Sequence, residues 1–228
     1  LELTPSRAET LLLEGILKES KGFQDDARKV YRQAAAEDPG YYLPWFWLGY
    51  SSLRHGHTDA RQWLDEAIKR NPNALRARLL KAKCREEREP ARAIEELLAM
   101  INRWPEYTPA AQAMGELLEK HGVYDEALHW YNHALKINPF CGPAALGMGR
   151  IYASQGDDHQ AGQGFGVAAD LAPPWAEAQY SMACWCLSQN NLNTAAEYCR
   201  RTILADAAHP RIGAVIAEIE KRRMFMRE

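Results

Sequence analysis

Apolar and small residues recur along this chain at the spacing of one helical face. Ala111, Met114 and Leu118 are three and four residues apart, and similar spacings recur in the other stretches. A glycine closes several of these stretches and an aspartate follows soon after, which is typical of a turn. These glycines are Gly22, Gly56, Gly122 and Gly156. The pattern therefore predicts helices joined by glycine turns.

A second helical stretch follows each turn and combines two alanines with a large side chain between them. In the stretch with Ala127, Tyr131 and Ala134, the large residue comes four positions after the first alanine and three before the second. A proline follows, and because proline lacks the amide hydrogen of a helical bond it ends the second helix. The prolines are Pro39, Pro72, Pro105, Pro139 and Pro173, at spacings of 33, 33, 34 and 34 residues. The chain is therefore predicted to be an internal repeat of helix pairs.

Small residues also recur inside the first helices. We expect them to let the two backbones of a pair approach closely, while larger residues fill the gap to the next pair. The glycines at this position are Gly15, Gly49, Gly115 and Gly149.

This pattern resembles the tetratricopeptide repeat family, whose helix-turn-helix unit of about 34 residues carries W, L-G, Y, A, F, A and P at set positions. The resemblance implies an all-α fold, a right-handed α-α superhelix. In the third repeat the first-helix register stays open by one residue, at Lys81 or Ala82. The predicted organisation is a linker at 1–7, six repeats at 8–41, 42–73, 74–107, 108–141, 142–175 and 176–209, and a capping helix at 210–228.

The last segment has one apolar stripe and one charged face. Ile212, Val215, Ile216 and Ile219 form the stripe. Because each unit of a stacked array covers only its neighbour, the final unit needs such a helix to cover it.

The concave wall of a tetratricopeptide array is built from first helices, and the resemblance assigns residues of this chain to it. In the second repeat, Trp45 takes the large position between repeats, and Phe46, Trp47 and Tyr50 fall on the wall. Leu12 and Ile16 hold equivalent positions in the first repeat. The N-terminal part of the groove is therefore expected to be apolar and aromatic.

Farther along the chain the predicted wall becomes polar. Because arginine can hold carboxylates and backbone carbonyls, this wall suits an extended or helical peptide. Its residues by the same alignment are Arg78, Gln112, Glu116, Arg150 and Tyr180.

Charge narrows the classes of partner. The 228 residues include 28 basic and 30 acidic side chains, for a net charge of −2. This balance argues against nucleic acid as a general partner, and the basic residues of the third repeat are interrupted by glutamates. No apolar run approaches the roughly 20 residues of a membrane span.

The sequence offers little for catalysis or metal binding. The glycine-rich run at 162–166 has no preceding strand and falls inside a predicted helix, so it does not indicate a phosphate loop. His129 and His133 are one turn apart, but no third ligand accompanies them. We expect no catalytic residue, metal, cofactor or small-molecule substrate.

Five cysteines without a framework spacing indicate a reducing compartment, and we expect a cytoplasmic location. The first residue is Leu1 rather than methionine, so we expect the sequence to be part of a longer chain.

Three functions fit this sequence. The first is a non-catalytic module that binds a peptide segment or protein partner in its groove. The second is a scaffold or regulatory domain of a larger, enzymatic chain. The third is self-association through the aromatic wall, since exposed apolar surface usually has a partner.

Overall fold

A computed structural model describes residues 5–171 and 174–225. Within these two ranges the backbone forms thirteen α-helices and no strand, which agrees with the all-α prediction. Pro173, the last of the periodic prolines, lies outside the described residues, as do 1–4 of the predicted linker and 226–228 of the predicted capping segment.

The helices are α1 (Arg7–Ser20), α2 (Gln24–Glu37), α3 (Tyr42–Arg54), α4 (Ala60–Arg70), α5 (Leu75–Lys83), α6 (Pro90–Arg103), α7 (Thr108–Lys120), α8 (Tyr124–Ile137), α9 (Gly142–Gln155), α10 (Asp158–Leu171), α11 (Ala176–Ser188), α12 (Leu192–Ala205) and α13 (Ile212–Phe225). Each of the six predicted repeats contains one consecutive pair. The first helix begins at Arg7, one residue before the predicted repeat, and the capping segment becomes helical at Ile212.

Glycine makes four of the six turns within the pairs. Gly22, Gly56, Gly122 and Gly156 have φ values between +72° and +85°, a left-handed backbone that favours glycine. In the sixth repeat Asn190 takes this conformation instead, at φ 57°. Asparagine is the residue that most often replaces glycine there.

Small residues in the first helices allow close approach, as predicted. A Cβ atom added to Gly15 would lie 2.4 Å from the ring of Tyr31 in α2, and one added to Gly115 would lie 2.6 Å from the ring of Tyr131 in α8. Real Cβ atoms essentially never approach that closely, so each ring packs directly on the backbone of its partner helix.

The helices form two compact units. The N-terminal unit runs to Arg103 and contains α1–α6, and the C-terminal unit begins at Trp104 and contains α7–α13. In the N-terminal unit, Tyr31, Leu48 and Leu64 have no exposed surface and form the centre of two adjoining apolar clusters.

Two apolar clusters likewise hold the C-terminal unit together. Phe165 of α10 packs with Leu146 of α9 in the first. In the second, Ile212, Val215 and Ile219 of α13 are buried with the residues of α11 and α12, so α13 covers the sixth repeat as predicted. Burying each of these side chains contributes about 1.5–3 kcal/mol.

Candidate functional site

Aromatic rings of α3 contact one another in the N-terminal unit. The rings of Trp47 and Tyr50 meet edge to face at 5.3 Å, and Phe46 lies 5.8 Å from Trp47 and 6.3 Å from Tyr50. Trp47 also stacks on Tyr31 of α2 at 6.1 Å. We call Phe46, Trp47 and Tyr50 the aromatic cluster. Such ring pairs stabilise by about 0.5–1.5 kcal/mol beyond their buried area, so the cluster is held in place.

The predicted wall residues of this unit differ in exposure. Leu12 and Phe46 are buried, at 4% and 6% exposure, whereas Ile16, Trp47 and Tyr50 are partly exposed. Phe46 is buried because it packs in the same cluster as Ala74 and Ala77, whose small side chains at α5 leave room for a ring. Leu12 and Phe46 therefore support the surface, and the other three residues form it.

The Trp45 ring contacts residues outside the aromatic cluster. Its ring is 5.7 Å from that of Trp63 in α4, and the guanidinium carbon of Arg70 lies 4.1 Å from its ring centroid. This distance is well within the range of a cation–π interaction. Trp45 thus joins α3 to α4 and is separate from the aromatic cluster.

The side of the cluster that faces α5 is basic. The guanidinium carbon of Arg76 lies 6.0 Å from the Phe46 ring, and Arg78 donates from Nε to the carbonyl of Pro72 at 2.8 Å. Neither α3 nor α5 contains an acidic residue. The buried ring of the cluster, Phe46, therefore has an arginine beside it.

A partly buried ion pair joins the first and second repeats. Arg28, with 9% of its side chain exposed, donates to Ser52 Oγ at 2.9 Å and to Asp59 Oδ2 at 2.7 Å. Burial alone would raise the pKa of Asp59. The nearby polar groups of Trp63 and Ser52, with the charge and hydrogen bond of Arg28, outweigh it and lower that pKa.

The carboxylate of Glu19, at the end of α1, lies near polar side chains of the first and second repeats. Tyr31 donates its hydroxyl hydrogen to Glu19 Oε2 at 2.8 Å, and His55 Nε2 lies 3.7 Å from Glu19 Oε1. Burial raises the pKa of Tyr31 and the hydrogen bond to Glu19 raises it further, so the phenol stays neutral.

In the C-terminal unit, two predicted wall residues, Glu116 and Arg150, line a cleft of about 370 Å³, and Gln112 is bonded to the first of them. Gln112 donates to Glu116 Oε1 at 2.7 Å, and Arg150 makes two hydrogen bonds of 2.7 and 2.8 Å to Glu119. Glu119 also accepts the hydroxyl of Tyr131 at 2.5 Å. The cleft is lined by Glu116, Glu119, Lys120, Tyr124, Arg150, Ile151 and Ser154.

Tyr180, the last predicted wall residue, belongs to a separate group. Its ring lies 4.7 Å from that of His209 and 4.6 Å from the guanidinium carbon of Arg211. Arg211 also contacts both oxygens of Glu177 at 2.8 Å. This group ties the segment before α13 to α11.

The sequence did not predict that the carboxylates of Glu19 and Glu119 each accept a hydrogen bond from a tyrosine of the second helix. Each lies twelve positions before the tyrosine that donates to it, Tyr31 in one case and Tyr131 in the other. The repeat spacing could have predicted these hydrogen bonds, because the two Glu–Tyr pairs hold the same positions in repeats one and four.

The two histidines of α8 lie on either side of an aromatic ring. Trp130 is 5.4 Å from the His129 ring and 5.6 Å from the His133 ring. Across 5–171 and 174–225, no three histidine, cysteine, aspartate or glutamate side chains are grouped as metal ligands. None of the helices in these ranges is both long and apolar enough to cross a membrane.

Comparison with known proteins finds a family match over part of the chain. Residues 12–74 match the tetratricopeptide repeat model, and no curated protein matches the sequence. The predicted fold class, an all-α superhelix of helix-turn-helix repeats, is confirmed.

Solved structures carry this likeness over most of the chain. Yeast Tom70 is 14% identical with a TM-score of 0.84 over 97% of this chain and 48% of that one, so this chain spans about half the Tom70 length. TTC0263, a thermophilic tetratricopeptide repeat protein of Thermus thermophilus, is 21% identical with a TM-score of 0.64 over 78% of this chain and 98% of that one. Pseudomonas aeruginosa pilF is 16% identical with a TM-score of 0.66, covering 92% and 97%. At these identities the likeness concerns the fold.

The tetratricopeptide repeat is in general a non-catalytic protein-interaction fold. The match over residues 12–74 and the shared fold therefore support a general protein-binding role for this chain.

Proposed function

We propose that this chain is a non-catalytic interaction module that binds a peptide segment of a protein partner on the N-terminal unit. The binding surface, here called the aromatic face, consists of Ile16, Trp47 and Tyr50. The observation that carries the proposal is that two partly exposed rings are held by contacts to the buried Phe46 and Tyr31. Because the rings are held in advance, binding has little side-chain freedom to remove.

The area of the aromatic face limits the free energy of binding that it can supply. Trp and Tyr each offer roughly 150–250 Å², and half-burial of both at ~25 cal/mol per Å² contributes about 4–6 kcal/mol gross. Association costs roughly 4–15 kcal/mol, so the rings alone give weak binding. Polar contacts must therefore supply the remainder.

The charges beside the rings suggest the chemistry of the partner. Arg76 is exposed beside Phe46, and α3 and α5 contain no carboxylate. A segment with one large apolar side chain for the aromatic face and a carboxylate for Arg76 would satisfy both. Tryptophan, tyrosine and arginine are also the residues that most often dominate interface energies.

The other predicted groove residues enter the proposal with different roles. Leu12 and Phe46 support the rings from below, and Arg78 of α5 is proposed as an additional polar contact. In the C-terminal unit, the cleft lined by Glu116 and Arg150, together with Gln112 bonded to Glu116, is proposed as a separate polar contact region, and Tyr180 as a further contact. Proposed partners exclude small-molecule substrates and, because basic and acidic residues nearly balance, nucleic acid.

We further propose a cytoplasmic location. Its support is that Cys84, Cys141, Cys184, Cys186 and Cys199 are all free thiols. Burial raises the pKa of Cys199 to about 11, so this thiol stays protonated and unreactive.

Selection from a displayed library of random twelve-residue peptides against the purified chain tests the function. We expect the enriched peptides to combine a large apolar residue with aspartate or glutamate, and to bind with micromolar Kd in fluorescence anisotropy. Tyr50→Ser and Arg76→Glu should each weaken binding about tenfold, which corresponds to about 1.4 kcal/mol. Arg88→Glu is the matched control, because Arg88 is an equally exposed arginine of the same unit outside the aromatic cluster.

Two results would overturn the proposal. One is that no peptide is enriched. The other is that enriched peptides bind the Tyr50→Ser and Arg76→Glu variants as tightly as the control. If instead the chain sediments as a dimer that Tyr50→Ser dissociates, the aromatic face serves self-association.

A further inference from the structure

The turn inside the third repeat differs from the turns inside the other five. Four of those turns use a glycine of positive φ and the fifth uses Asn190, whereas no residue of 84–89 has a positive φ. This connection between α5 and α6 is also the longest of the six connections within helix pairs. Backbone hydrogen bonds hold it, including one from the amide of Glu89 to the carbonyl of Arg85 at 2.8 Å. Charged residues therefore stand here in place of small turn residues.

A cavity of about 330 Å³, here called the turn cavity, lies between this turn and the turn that joins α3 to α4. Its lining includes three arginines, two glutamates and one histidine, so it carries one excess positive charge when the histidine is neutral. All of the lining residues belong to the N-terminal unit. Those that matter here are Gly56, Thr58 and Arg61 on one side, and Cys84, Arg85 and Glu89 on the other.

The Glu89 carboxylate is held by two arginines. Arg85 and Arg92 each donate from Nη1 to its Oε2 at 2.7 Å. The hydrogen bond from Arg92 lowers the pKa of Glu89 most, and the charges of the nearby arginines lower it further, so this group is ionised at neutral pH. Arg85, with 11% of its side chain exposed, also places Nε 3.2 Å from Glu96 Oε1. The charge of Arg85 is therefore matched by carboxylates of the protein itself.

Arg61 differs from Arg85, because no carboxylate of the described residues is hydrogen-bonded to it. Its Nη1 lies 3.7 Å from Glu89 Oε1, which is beyond hydrogen-bond distance, and 48% of its side chain is exposed. The side chain of Thr58, three positions earlier, is exposed at the same cavity. A guanidinium keeps its charge and offers N–H donors in a fixed fork. Arg61 is therefore the cation of the cavity that is placed to hold an added anion.

We propose that the turn cavity binds an acidic peptide segment through one of its carboxylates. Arg61 would donate two N–H groups to the two carboxylate oxygens, and the Thr58 hydroxyl would be a second donor. One carboxylate carries the single negative charge that matches the excess of the lining, whereas the second charge of a phosphate would face Glu89. The general protein-binding role of the fold favours a protein partner as the source. None of the residues of the aromatic face lines the cavity, so this contact goes beyond the proposed function.

The test follows the ¹H–¹⁵N NMR signals of the Thr58 and Cys84 amides while a peptide is added to the purified chain at low salt. The peptide has three glutamates between glycines and blocked ends, so it offers no apolar side chain to the aromatic face. We expect both signals to shift with a Kd of about 1 mM. Arg61→Gln should weaken binding about fivefold. Arg54→Gln is the matched control and should bind like the wild type, since Arg54 is an exposed arginine of α3 outside the cavity lining.

Further additions test the chemistry of the ligand. The same peptide with glutamine in place of each glutamate should shift neither signal, because it has no carboxylate. Inorganic phosphate at equal ionic strength should bind more weakly than the acidic peptide. Arg61→Lys, which keeps the charge but loses the fork of donors, should recover part of the binding lost in Arg61→Gln. Because half of the Arg61 side chain is exposed, both variants should melt within a few degrees of the wild type.

The proposal is overturned if the acidic peptide shifts neither amide signal at about 10 mM. It is also overturned if Arg54→Gln weakens binding as much as Arg61→Gln, because the attraction would then come from general positive charge. Tighter binding of phosphate than of the peptide would overturn the assignment of a carboxylate. None of these results bears on the aromatic face, since the peptide has no large apolar side chain.

Discussion

The two units differ in the residue that packs against the tyrosine of the preceding second helix. Trp47 in the N-terminal unit and Gly147 in the C-terminal unit hold the same position, two residues before the small residue of a first helix. Both meet the tyrosine of the preceding second helix. Trp47 stacks on Tyr31 at 6.1 Å between ring centroids, whereas a Cβ atom at Gly147 would lie only 2.3 Å from the ring of Tyr131.

The difference shows what creates an exposed aromatic surface in this fold. Where glycine holds the position, the tyrosine ring packs directly on helix backbone. Where tryptophan holds it, a second ring lies over the tyrosine and part of it stays exposed. Both units keep the same hydrogen bond from tyrosine to glutamate, Tyr31 to Glu19 and Tyr131 to Glu119. A common frame thus permits an exposed aromatic surface in one unit and close helix packing in the other.

Removing the ring beneath the aromatic face should have the largest effect. Phe46→Ala should lower the free energy of unfolding by about 3–5 kcal/mol, because it empties a buried site between α3 and α5. The urea midpoint measures this change. Tyr50→Ala is the control and should cost clearly less, since its ring is partly exposed. Equal losses for the two variants would show that Phe46 does not support the cluster.

The second largest loss of stability is expected when a side chain is added at Gly147 in the C-terminal unit. Gly147→Leu should destabilise by about 3 kcal/mol, at the upper end for an overpacked site, because three atoms of the Tyr131 side chain lie within 2.6 Å of the added Cβ. Val167→Leu, at a 45% exposed position, is the control and should be nearly neutral. A Gly147→Leu variant as stable as this control would contradict the close approach.

The ion pair of the N-terminal unit should give a smaller, pH-dependent effect. Asp59→Asn should cost about 2 kcal/mol at pH 7 by weakening the charged hydrogen bond from Arg28. The folded pKa of Asp59 is lowered, so its contribution is present above about pH 4, the ordinary carboxyl range, and is lost as pH falls through the folded value.

Urea midpoints of the wild type and Asp59→Asn between pH 7 and pH 3 measure this linkage. The two midpoints should converge toward the acid end. A difference that stays constant with pH would show that the carboxylate charge contributes nothing.

The smallest effect should be a gain in stability within the glycine-rich segment of α10. Gly166→Ala should stabilise by about 1 kcal/mol, because an added Cβ there meets nothing within 4 Å and alanine favours the helix. Gly164→Ala is the opposite case, since its Cβ would lie 2.7 Å from the Cα of Gly149. Thermal melting should move up for the first variant and down for the second. A gain for both would show that α9 and α10 do not approach closely at Gly164.

Much of the fold could be predicted because its signals are local and repeat. The alanine and proline spacing predicted the helix pairs, and four glycines predicted the turns within them. The exposure of individual residues at the candidate surface was harder to predict. Phe46 and Trp47 are adjacent large rings in one helix, and the pattern assigned both to the wall. Only the packing against α5 makes Phe46 buried and leaves Trp47 partly exposed.

By itself, the sequence determined the repeated helix pairs, because helix periodicity, turn chemistry and the positions of small residues act within about 34 residues of one another. Tertiary structure alone decided which side chains share a contact across repeats. Tyr31, Glu19 and His55 meet and Arg150 pairs with Glu119, because each outcome depends on side-chain volume and charge brought together from separate helices.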